Sequence, residues 1–384
     1  MIAARGERLG HGGLFGYRWR DFDPYMLITT LVLIGFSVVA IWSATGADSL
    51  SLSNEGVHQF LFAIVGLALM LVIAHSDYRF LSTLAWILYV AAIASLVLVL
   101  VPGIGLRIAG SQRWFQIGQQ TVQPSEFAKI ATIVALAAFV SSRGAAMREF
   151  GNFVVSMLIV VLPMGLVFLQ PDLGTTIVFG VIWLAMMLVT QTRKVYFAAL
   201  ALLSVPGFWV AWRFLFHDYQ KERLLVSYNP SVDPYGAGFN IIQARISIGS
   251  GGWFGFGLHG GSQSQADLLR VRESDFIFAH ASGMVGYLGM LALFVSFIIL
   301  LWRCVGVVDA ARDSFGQLLA IGISGILFFQ AVVNIGMNVG LMPVTGITLP
   351  FISDGVSSLW SFLLAEGILQ SILMHKRKLA FQRG

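Results

Sequence analysis

Ten apolar segments, each close to the length that a bilayer requires, constrain this chain more than any other feature of its sequence. A helix needs about 20 consecutive apolar residues to cross the hydrocarbon core of a membrane. Because lipid offers no partners to backbone N–H and C=O groups, such segments must fold as helices. The sequence therefore predicts an all-α integral membrane protein with about ten transmembrane helices in a single domain, residues 1–384. The predicted spans are 25–45, 58–75, 80–101, 124–140, 151–169, 173–190, 195–216, 276–302, 315–340 and 355–374.

The amino-acid composition excludes a soluble domain of this size. Hydrophobic residues make up 57% of the chain and charged residues only 11%, whereas soluble domains carry roughly 25% charged residues. A soluble core could not enclose this much apolar surface, so lipid must be the solvent for much of it. Cys304 is the only cysteine, which also excludes an intrachain disulfide.

Lys and Arg are distributed unevenly between the loops, and this asymmetry predicts the orientation of the chain. With the N-terminus inside, 15 of the 24 Lys and Arg residues fall in cytoplasmic segments, as the positive-inside rule requires. Both termini are then cytoplasmic, as tails of residues 1–24 and 375–384. One long extracytoplasmic loop, residues 217–275, connects helices 7 and 8. The net charge of +5 is therefore a topology signal, and no nucleic-acid partner is expected.

The long outer loop is expected to be functional, because loops of this length without a role are uncommon. Phe239, Ile242 and Ile246 follow one another at helical spacing in it. This pattern predicts a short helix that lies on the bilayer surface.

A glycine-rich stretch follows, and its residues 255–260 formally match G-x-G-x-x-G. A dinucleotide site is excluded, because no strand precedes the stretch and it is predicted to lie outside the cell. Two interpretations remain open. One is a tight glycine turn, and the other is a backbone cradle for a phosphate or sugar.

Carboxylates stand at the predicted outer ends of several spans. Glu126, Asp172 and Asp354 each lie near a helix N-terminus, where an acid caps free N–H groups and meets the favourable end of the dipole. Glu126 differs from the others because Lys129 follows it on the same helical face. An ion pair within a span is a candidate functional site, since an unpaired charge in lipid is costly.

Asp275 precedes the eighth predicted span, in the sequence Arg272-Glu-Ser-Asp-Phe276. It can be read as a helix cap. It can also be read as a carboxylate at the boundary between water and lipid, where partial desolvation makes it a better base. Position alone does not rank Asp275 above Glu126.

Several recognisable motifs are spread along nearly the whole chain. They are Ser111-Gln-Arg-Trp-Phe115, Gln123-Pro-Ser-Glu-Phe-Ala-Lys129, Gln170-Pro-Asp-Leu-Gly-Thr175, Gly261-Ser-Gln-Ser-Gln265, Asp275-Phe-Ile-Phe-Ala279, Asn334-Ile-Gly-Met337 and Gly340-Leu-Met-Pro-Val-Thr-Gly-Ile-Thr-Leu-Pro350. In this order they resemble the motifs of the SEDS family (shape, elongation, division and sporulation). The motif of residues 340–350 is more similar to the rod-shape branch of the family than to its division branch.

The resemblance implies a peptidoglycan glycosyltransferase for cell elongation and shape. Such proteins polymerise lipid II, a sugar-peptide carried on undecaprenyl pyrophosphate, at the outer face of the cytoplasmic membrane. The implied partners are a class B penicillin-binding protein of the PBP2 type and the elongation machinery.

The resemblance also assigns roles to individual residues. The family's essential aspartate falls on Asp275, which would act as the general base of an inverting transfer. Its important tryptophan falls on Trp114, for which an interfacial anchor is the alternative, and its Glu/Lys pair falls on Glu126 and Lys129. The candidate substrate-binding residues are Arg113, Trp114, Glu126, Lys129, Arg245, Gln263, Ser264 and Arg272, with the basic side chains placed to meet the leaving pyrophosphate.

Two questions stay open at this level. A divalent cation, Mg²⁺ or Mn²⁺, could be held by Asp275 and Glu273, and the sequence does not decide whether one is used. The chain also departs from the family pattern at Arg270–Ser274, Gly283–Met284 and Asp354–Val356. These departures keep two alternatives in view, a lipid II flippase and a non-catalytic scaffold for the penicillin-binding protein.

Overall fold

A bundle of long apolar helices forms the protein. The computed structural model describes residues 19–45, 54–108, 110–118, 120–216, 218–236, 238–258, 261, 263, 268–269 and 271–375. The helices are α1 Pro24–Thr45, α2 Glu55–His75, α3 Phe80–Leu100, α4 Pro124–Arg143, α5 Phe150–Leu169, α6 Leu173–Leu188, α7 Lys194–Val210, α8 Asp218–Tyr228, α9 Phe239–Ser250, α10 Ile277–Ala310, α11 Ser314–Asn338 and α12 Val356–Met374.

Every predicted span is a helix in the structure, which confirms the predicted fold class. Within the described residues, nine helical segments are long and apolar enough to cross a membrane, and Leu173–Leu188 is a shorter apolar helix. The structure also contains an element that the sequence analysis did not predict. It is a small antiparallel sheet between α3 and α4, in the order β1–β2–β3, with strands Leu106–Ile108, Ser111–Ile117 and Gln120–Val122.

Helix α12 forms the centre of the bundle, and α7 lies at its edge. All of the residues of α12 except Trp360 and Leu364 are buried, and it packs against α2, α4, α10 and α11. None of the described residues of α7 is buried. We infer that α7 faces lipid over most of its surface, because exposed apolar side chains of this density need an apolar solvent.

The long loop after α7 is folded into short helices over much of its described part. Helix α9 confirms the helix predicted around Phe239. Ile241, Ala244 and Ser247 are the buried residues, whereas Ile246 is 43% exposed. The buried side of α9 packs against α10, and Ile246 lies on the side that does not, so it stays available to the membrane surface predicted for this helix.

The glycine-rich stretch is a turn that docks into a break in α10. At Gly286 the helix backbone leaves helical geometry, with φ 65° and ψ −168°. The N–H groups of Phe256 and Gly257 donate to the carbonyl oxygens of Gly283 and Met284 at 2.9 and 3.0 Å. These donors are therefore engaged within the protein, which favours the interpretation as a turn over that as a phosphate cradle.

The same turn also provides acceptors to the second half of α10. The N–H groups of Tyr287 and Leu288 donate to the carbonyl oxygens of Gly252 and Trp253 at 2.8 and 3.2 Å. Backbone groups that the break at Gly286 would leave unpaired in a dry environment are thus satisfied. The turn fixes the angle between the two halves of α10.

Substituting Gly255 by alanine is expected to destabilise the protein by about 2 kcal/mol or more. Gly255 has a φ of +72°, and a Cβ there would collide with the carbonyl group of Met284, so backbone strain and a clash act together. Gly249→Ala is the matched control, because a Cβ at Gly249 meets nothing within 4 Å. Thermal melting in detergent should show a clear drop for the first variant only. Equal melting temperatures would show that the docking adds no stability.

Candidate functional site

The turn that carries Asp275 lies immediately before α10 and is held by its backbone. The N-cap position of α10 belongs to Phe276, so Asp275 is not the cap of that helix. The carbonyl oxygen of Asp275 accepts hydrogen bonds from the side-chain amides of Asn338 and Asn334 at 3.0 and 3.3 Å. Asn338 also accepts from the N–H of Ala279 at 3.1 Å. The two amides therefore join the last turn of α11 to the first turn of α10.

The loop between α11 and α12, residues 339–355, covers the other side of the same turn. The Oγ of Ser353 donates to the carbonyl oxygen of Ser274 at 2.8 Å, and the N–H of Asp354 donates to that of Glu273 at 2.9 Å. Three consecutive carbonyl groups, at residues 273–275, thus have partners. Because these bonds fix the backbone of residues 273–275 and Asp275 is only half-buried, the Asp275 carboxylate is held in one place and keeps access to solvent.

Strand β2 contributes a second charged group, centred on Arg113. Its guanidinium forms an ion pair with Asp172 at 2.9 Å and lies 4.6 Å from the ring centroid of Trp114. Asp172 caps α6 by accepting from the N–H of Thr175 at 3.1 Å, which confirms the predicted cap. Gln123 adds a further donor to Asp172 at 3.3 Å.

Residues 339–355 connect this group to Asp275. Gly174, in the first turn of α6, packs directly against Thr345 and Ile347. Between these two residues, Gly346 faces Asp275, and a Cβ added to this glycine would lie 3.7 Å from Oδ2 of Asp275. The loop therefore contacts the Asp275 turn on one side and the start of α6 on the other. The Arg113–Asp172 pair and Asp275 belong to the same end of the helix bundle.

Glu126 and Lys129 form a buried ion pair, as their predicted spacing on one helical face requires. The Nζ of Lys129 lies 2.8 Å from Oε1 of Glu126, and the side chains are 1% and 5% exposed. Ser361 of α12 lies 3.3 Å from Oε2 of Glu126, and the Lys129 ammonium is 5.6 Å from the ring centroid of Phe362. The pair joins α4 to α12 inside the bundle and is closed to solvent.

The remaining candidates are placed around the outer loop. Arg245 is exposed on α9 and donates to the carbonyl oxygen of Gly340 at 3.0 Å, while Arg272 donates to that of Ala44 at 2.7 Å. Gln263 is half-buried, and Ser264 lies outside the described residues. Glu273 is half-buried beside Asp275. Among the described residues, no three His, Cys, Asp or Glu side chains converge as metal ligands.

Sequence reasoning gave no role to Asn334, Asn338 or Ser353, although all three position the Asp275 turn. Asn334 and Asn338 are 0% exposed and Ser353 is 2% exposed. A signal was available, since two asparagines four residues apart in an apolar span lie on the same face of a helix. Polar side chains within membrane helices usually have a specific partner.

Asp354 lies in an electrostatic environment that disfavours its charge. Burial raises the pKa of the Asp354 carboxyl from 3.8 to about 6, and repulsion from Glu55 and Glu273 adds to the effect. The prediction that Asp354 caps a helix is wrong, because Gly355 is the N-cap residue of α12 and no side chain caps this helix. Asp354 instead contributes a carboxyl that gains a proton under mildly acidic conditions.

We expect the protein to be more stable at pH 5 than at pH 7 because of Asp354. Between about pH 4 and pH 6 the folded state binds more protons at this carboxyl than the unfolded chain does, so stability falls as the pH rises through this range. The free energy of unfolding should differ between pH 5 and pH 7 by on the order of 1–2 kcal/mol, with the partial exposure of Asp354 taken into account. Asp354→Asn should remove most of it, as judged by melting temperatures at the two pH values. Asp309→Asn, at an exposed site, is the control, and an unchanged pH response in Asp354→Asn would contradict the assignment.

Residues 24–378 match the family described as cell cycle protein, which groups FtsW, RodA and SpoVE. The chain is 36% identical over 358 residues to the peptidoglycan glycosyltransferase MrdB of Escherichia coli K12, and the match covers 93% of this chain and 95% of that protein. It is also 36% identical to the stage V sporulation protein E of Bacillus subtilis, with 92% of this chain and 98% of that protein covered.

Two solved structures share the fold. A chain from a peptidoglycan synthase complex that coordinates polymerisation and crosslinking superposes with a TM-score of 0.80 at 27% identity, over 94% of this chain and 100% of that chain. The crystal structure of the rod shape determining protein RodA of Thermus thermophilus gives a TM-score of 0.66 at 26% identity, over 94% and 99% of the two chains.

Proposed function

Because the chain belongs to the cell-cycle protein family of FtsW, RodA and SpoVE, we propose that it is a peptidoglycan glycosyltransferase that polymerises lipid II for cell elongation and shape. The observation that carries this proposal is the Asp275 turn. Its three carbonyl groups at 273–275 are all held by hydrogen bonds, while the Asp275 side chain remains half-buried. A rigid backbone beneath a solvent-accessible carboxylate is what a general base needs.

In the proposed reaction, a sugar hydroxyl of the acceptor attacks the anomeric carbon of the donor. Asp275 takes the hydroxyl proton, the new glycosidic C–O bond forms, and the bond between the anomeric carbon and the pyrophosphate oxygen breaks. One displacement inverts the configuration at that carbon, so an α-linked donor gives a β-linked strand without a covalent enzyme intermediate. The lipid pyrophosphate leaves with the electron pair of the broken bond.

The leaving pyrophosphate is proposed to meet arginines rather than the buried lysine. Arg245 is exposed and Arg113 is 22% exposed, and an arginine that uses one N–H on the protein keeps others for phosphate oxygens. Arg272 is half-buried and completes this basic set. Lys129 is enclosed with Glu126, so its contribution would be to hold α4 in place. Trp114, beneath Arg113, would present its remaining surface to a sugar.

Asp275 and Glu273 are the residues that would hold a divalent cation, which would supply positive charge to the leaving pyrophosphate. The described residues do not bring three ligand side chains together, so a cation between Asp275 and Glu273 would depend on oxygens of the substrate's own phosphates. The residues that carry the proposed chemistry are the base and the arginines.

The proposed setting is the cytoplasmic membrane, with the Asp275 end of the bundle on the outer face and both termini inside. The asymmetry of Lys and Arg between the loops supports this orientation. A related chain belongs to a synthase complex that combines polymerisation and crosslinking. We therefore expect a class B penicillin-binding protein of the PBP2 type as the partner, within the elongation machinery.

Reconstitution into vesicles that contain labelled lipid II tests this function against the flippase and scaffold alternatives. We expect glycan strands to form both with and without the cognate penicillin-binding protein, at a lower rate without it. Movement of labelled lipid II between leaflets without strand formation would favour a flippase. Neither strands nor movement, even with the partner, would favour a scaffold.

A further inference from the structure

A strip of buried polar residues runs along one face of α1 through the inside of the bundle. Asp23, immediately before α1, and Thr30 and Ser37 within it are spaced seven residues apart, which places Thr30 and Ser37 on one face of the helix below Asp23. The three residues are 5%, 0% and 0% exposed. None of the three side chains takes part in the proposed glycosyl transfer.

Two members of the strip bond to α12, and the third bonds to the loop before it. The N–H of Asp23 donates to Gln370 at 2.9 Å, the hydroxyl of Thr30 donates to Oε2 of Glu366 at 2.6 Å, and the hydroxyl of Ser37 donates to the carbonyl oxygen of Ile352 at 2.7 Å. The contact between Thr30 and Glu366 differs from the others, because its acceptor is a carboxyl group in the middle of a membrane-spanning helix.

Among the described residues, no cation accompanies Glu366, whereas the buried carboxylates of Asp23 and Glu126 are paired with Arg303 and Lys129. It lies in the middle of α12 and is 1% exposed. Its Oε1 has no hydrogen-bond partner among the described residues, and none of the ion pairs found among them includes it. Arg303, the basic residue of this region, binds Asp23 instead, with 2.6 Å from Nε to Oδ2.

The protonation state of Glu366 follows from comparison with Glu126. Both are buried glutamates in membrane-spanning helices, but Glu126 has Lys129 at 2.8 Å and can stay ionised. An ionised carboxylate without a cation is far more costly to bury than a neutral carboxylic acid. Among the described residues, the titratable groups that interact with Glu366 are Asp23, immediately before α1, and Cys304 of α10, and neither can supply a positive charge.

We propose that Glu366 is a proton-binding site within the membrane domain, with the proton on Oε1 and the Thr30 hydroxyl bonded to Oε2. In this state the neutral acid joins α12 to α1. The site has a chemical signature, because a protonated carboxyl in an apolar environment reacts with hydrophobic carbodiimides.

Treatment of the detergent-purified full chain with dicyclohexylcarbodiimide tests the proposal. The acid proton is transferred to one carbodiimide nitrogen, the carboxylate oxygen bonds to the central carbon, and the acyl group then migrates to nitrogen to give a stable N-acylurea without a leaving group. Mass spectrometry of peptides should find this adduct at Glu366. Glu126 and Asp23, which are paired with Lys129 and Arg303, should stay unmodified and serve as internal controls.

The Glu366→Gln variant provides the second measurement. Its amide is neutral and can still accept from Thr30, so the variant should fold with a melting temperature close to that of the wild type. The infrared spectrum of the wild type should contain a carboxylic acid C=O band that this variant lacks. An adduct at Glu366 or loss of the band in Glu366→Gln would support the site. Absence of both, or equal modification of Glu126, would overturn it.

Discussion

Replacing Asp275 by asparagine is expected to reduce the rate of strand formation by at least about 10²-fold, because general base catalysis is typically worth 10²–10⁴ in rate. Asparagine preserves the shape of the side chain and cannot accept the proton of the attacking hydroxyl. The hydrogen bonds that hold the turn use the carbonyl oxygen of Asp275, so they should survive. Binding of lipid II and the melting temperature should therefore change little while the rate falls.

Glu222→Gln is the matched control for this experiment. Glu222 is an exposed carboxylate in the same long loop, and its removal changes the charge by the same amount. We expect strand formation within a factor of two of the wild type. If Asp275→Asn were as active as Glu222→Gln, the base would have to be another group, and the buried Glu126 would be a poor replacement because it is closed to solvent.

The largest expected loss of stability comes from breaking the Glu126–Lys129 pair. Lys129→Met should cost about 3–5 kcal/mol, since it leaves the Glu126 carboxylate buried without its cation. The double variant Glu126→Gln/Lys129→Met should recover much of this loss, because no lone charge remains. Melting temperatures and denaturation in mixed detergent would measure both changes.

Arg79 offers a control at a more open ion pair. Arg79 and Asp313 lie 3.2 Å apart, with side chains that are 39% and 36% exposed, and such pairs contribute at most about 1 kcal/mol. Arg79→Met should therefore have a small effect.

A double variant at Glu126 and Lys129 that was as unstable as Lys129→Met would show that lost packing, and not an uncompensated charge, causes the destabilisation.

The helices could be predicted from the sequence because, in lipid, each segment must satisfy its own backbone hydrogen bonds. An apolar segment of sufficient length has no other fold available in a bilayer, so each segment is decided by its own residues. Capping by Asp172 and the pairing of Glu126 with Lys129 are also local, within one turn of a helix. These features were predicted from spacing alone.

The positioning of Asp275 could not be predicted in this way, because its partners are distant in sequence. Asn338 and Ser353 are 63 and 79 residues away from their acceptors at Asp275 and Ser274. No spacing rule connects such positions. They meet only because α11 packs beside α10 and the loop of residues 339–355 folds over the Asp275 turn. The side of α9 that is buried in protein has the same origin, since it is determined by the packing of α9 against α10.

The glycine-rich stretch shows how a motif with two interpretations is resolved by its partner. Its sequence fitted both a turn and a phosphate cradle, because either one requires glycine. The break at Gly286 is the complementary element, and a single glycine in an apolar span gives little indication that a helix is interrupted there.

Polymerisation of lipid II by the purified chain in detergent is the most direct test of the proposed activity. Detergent micelles have no two sides, so movement across a membrane cannot be mistaken for a reaction. With labelled lipid II as the sole sugar donor, we predict long glycan strands that a muramidase specific for β-linked sugars degrades. Lipid II that stays monomeric, with the chain folded and its penicillin-binding partner present, would contradict the assignment of this protein as a glycosyltransferase.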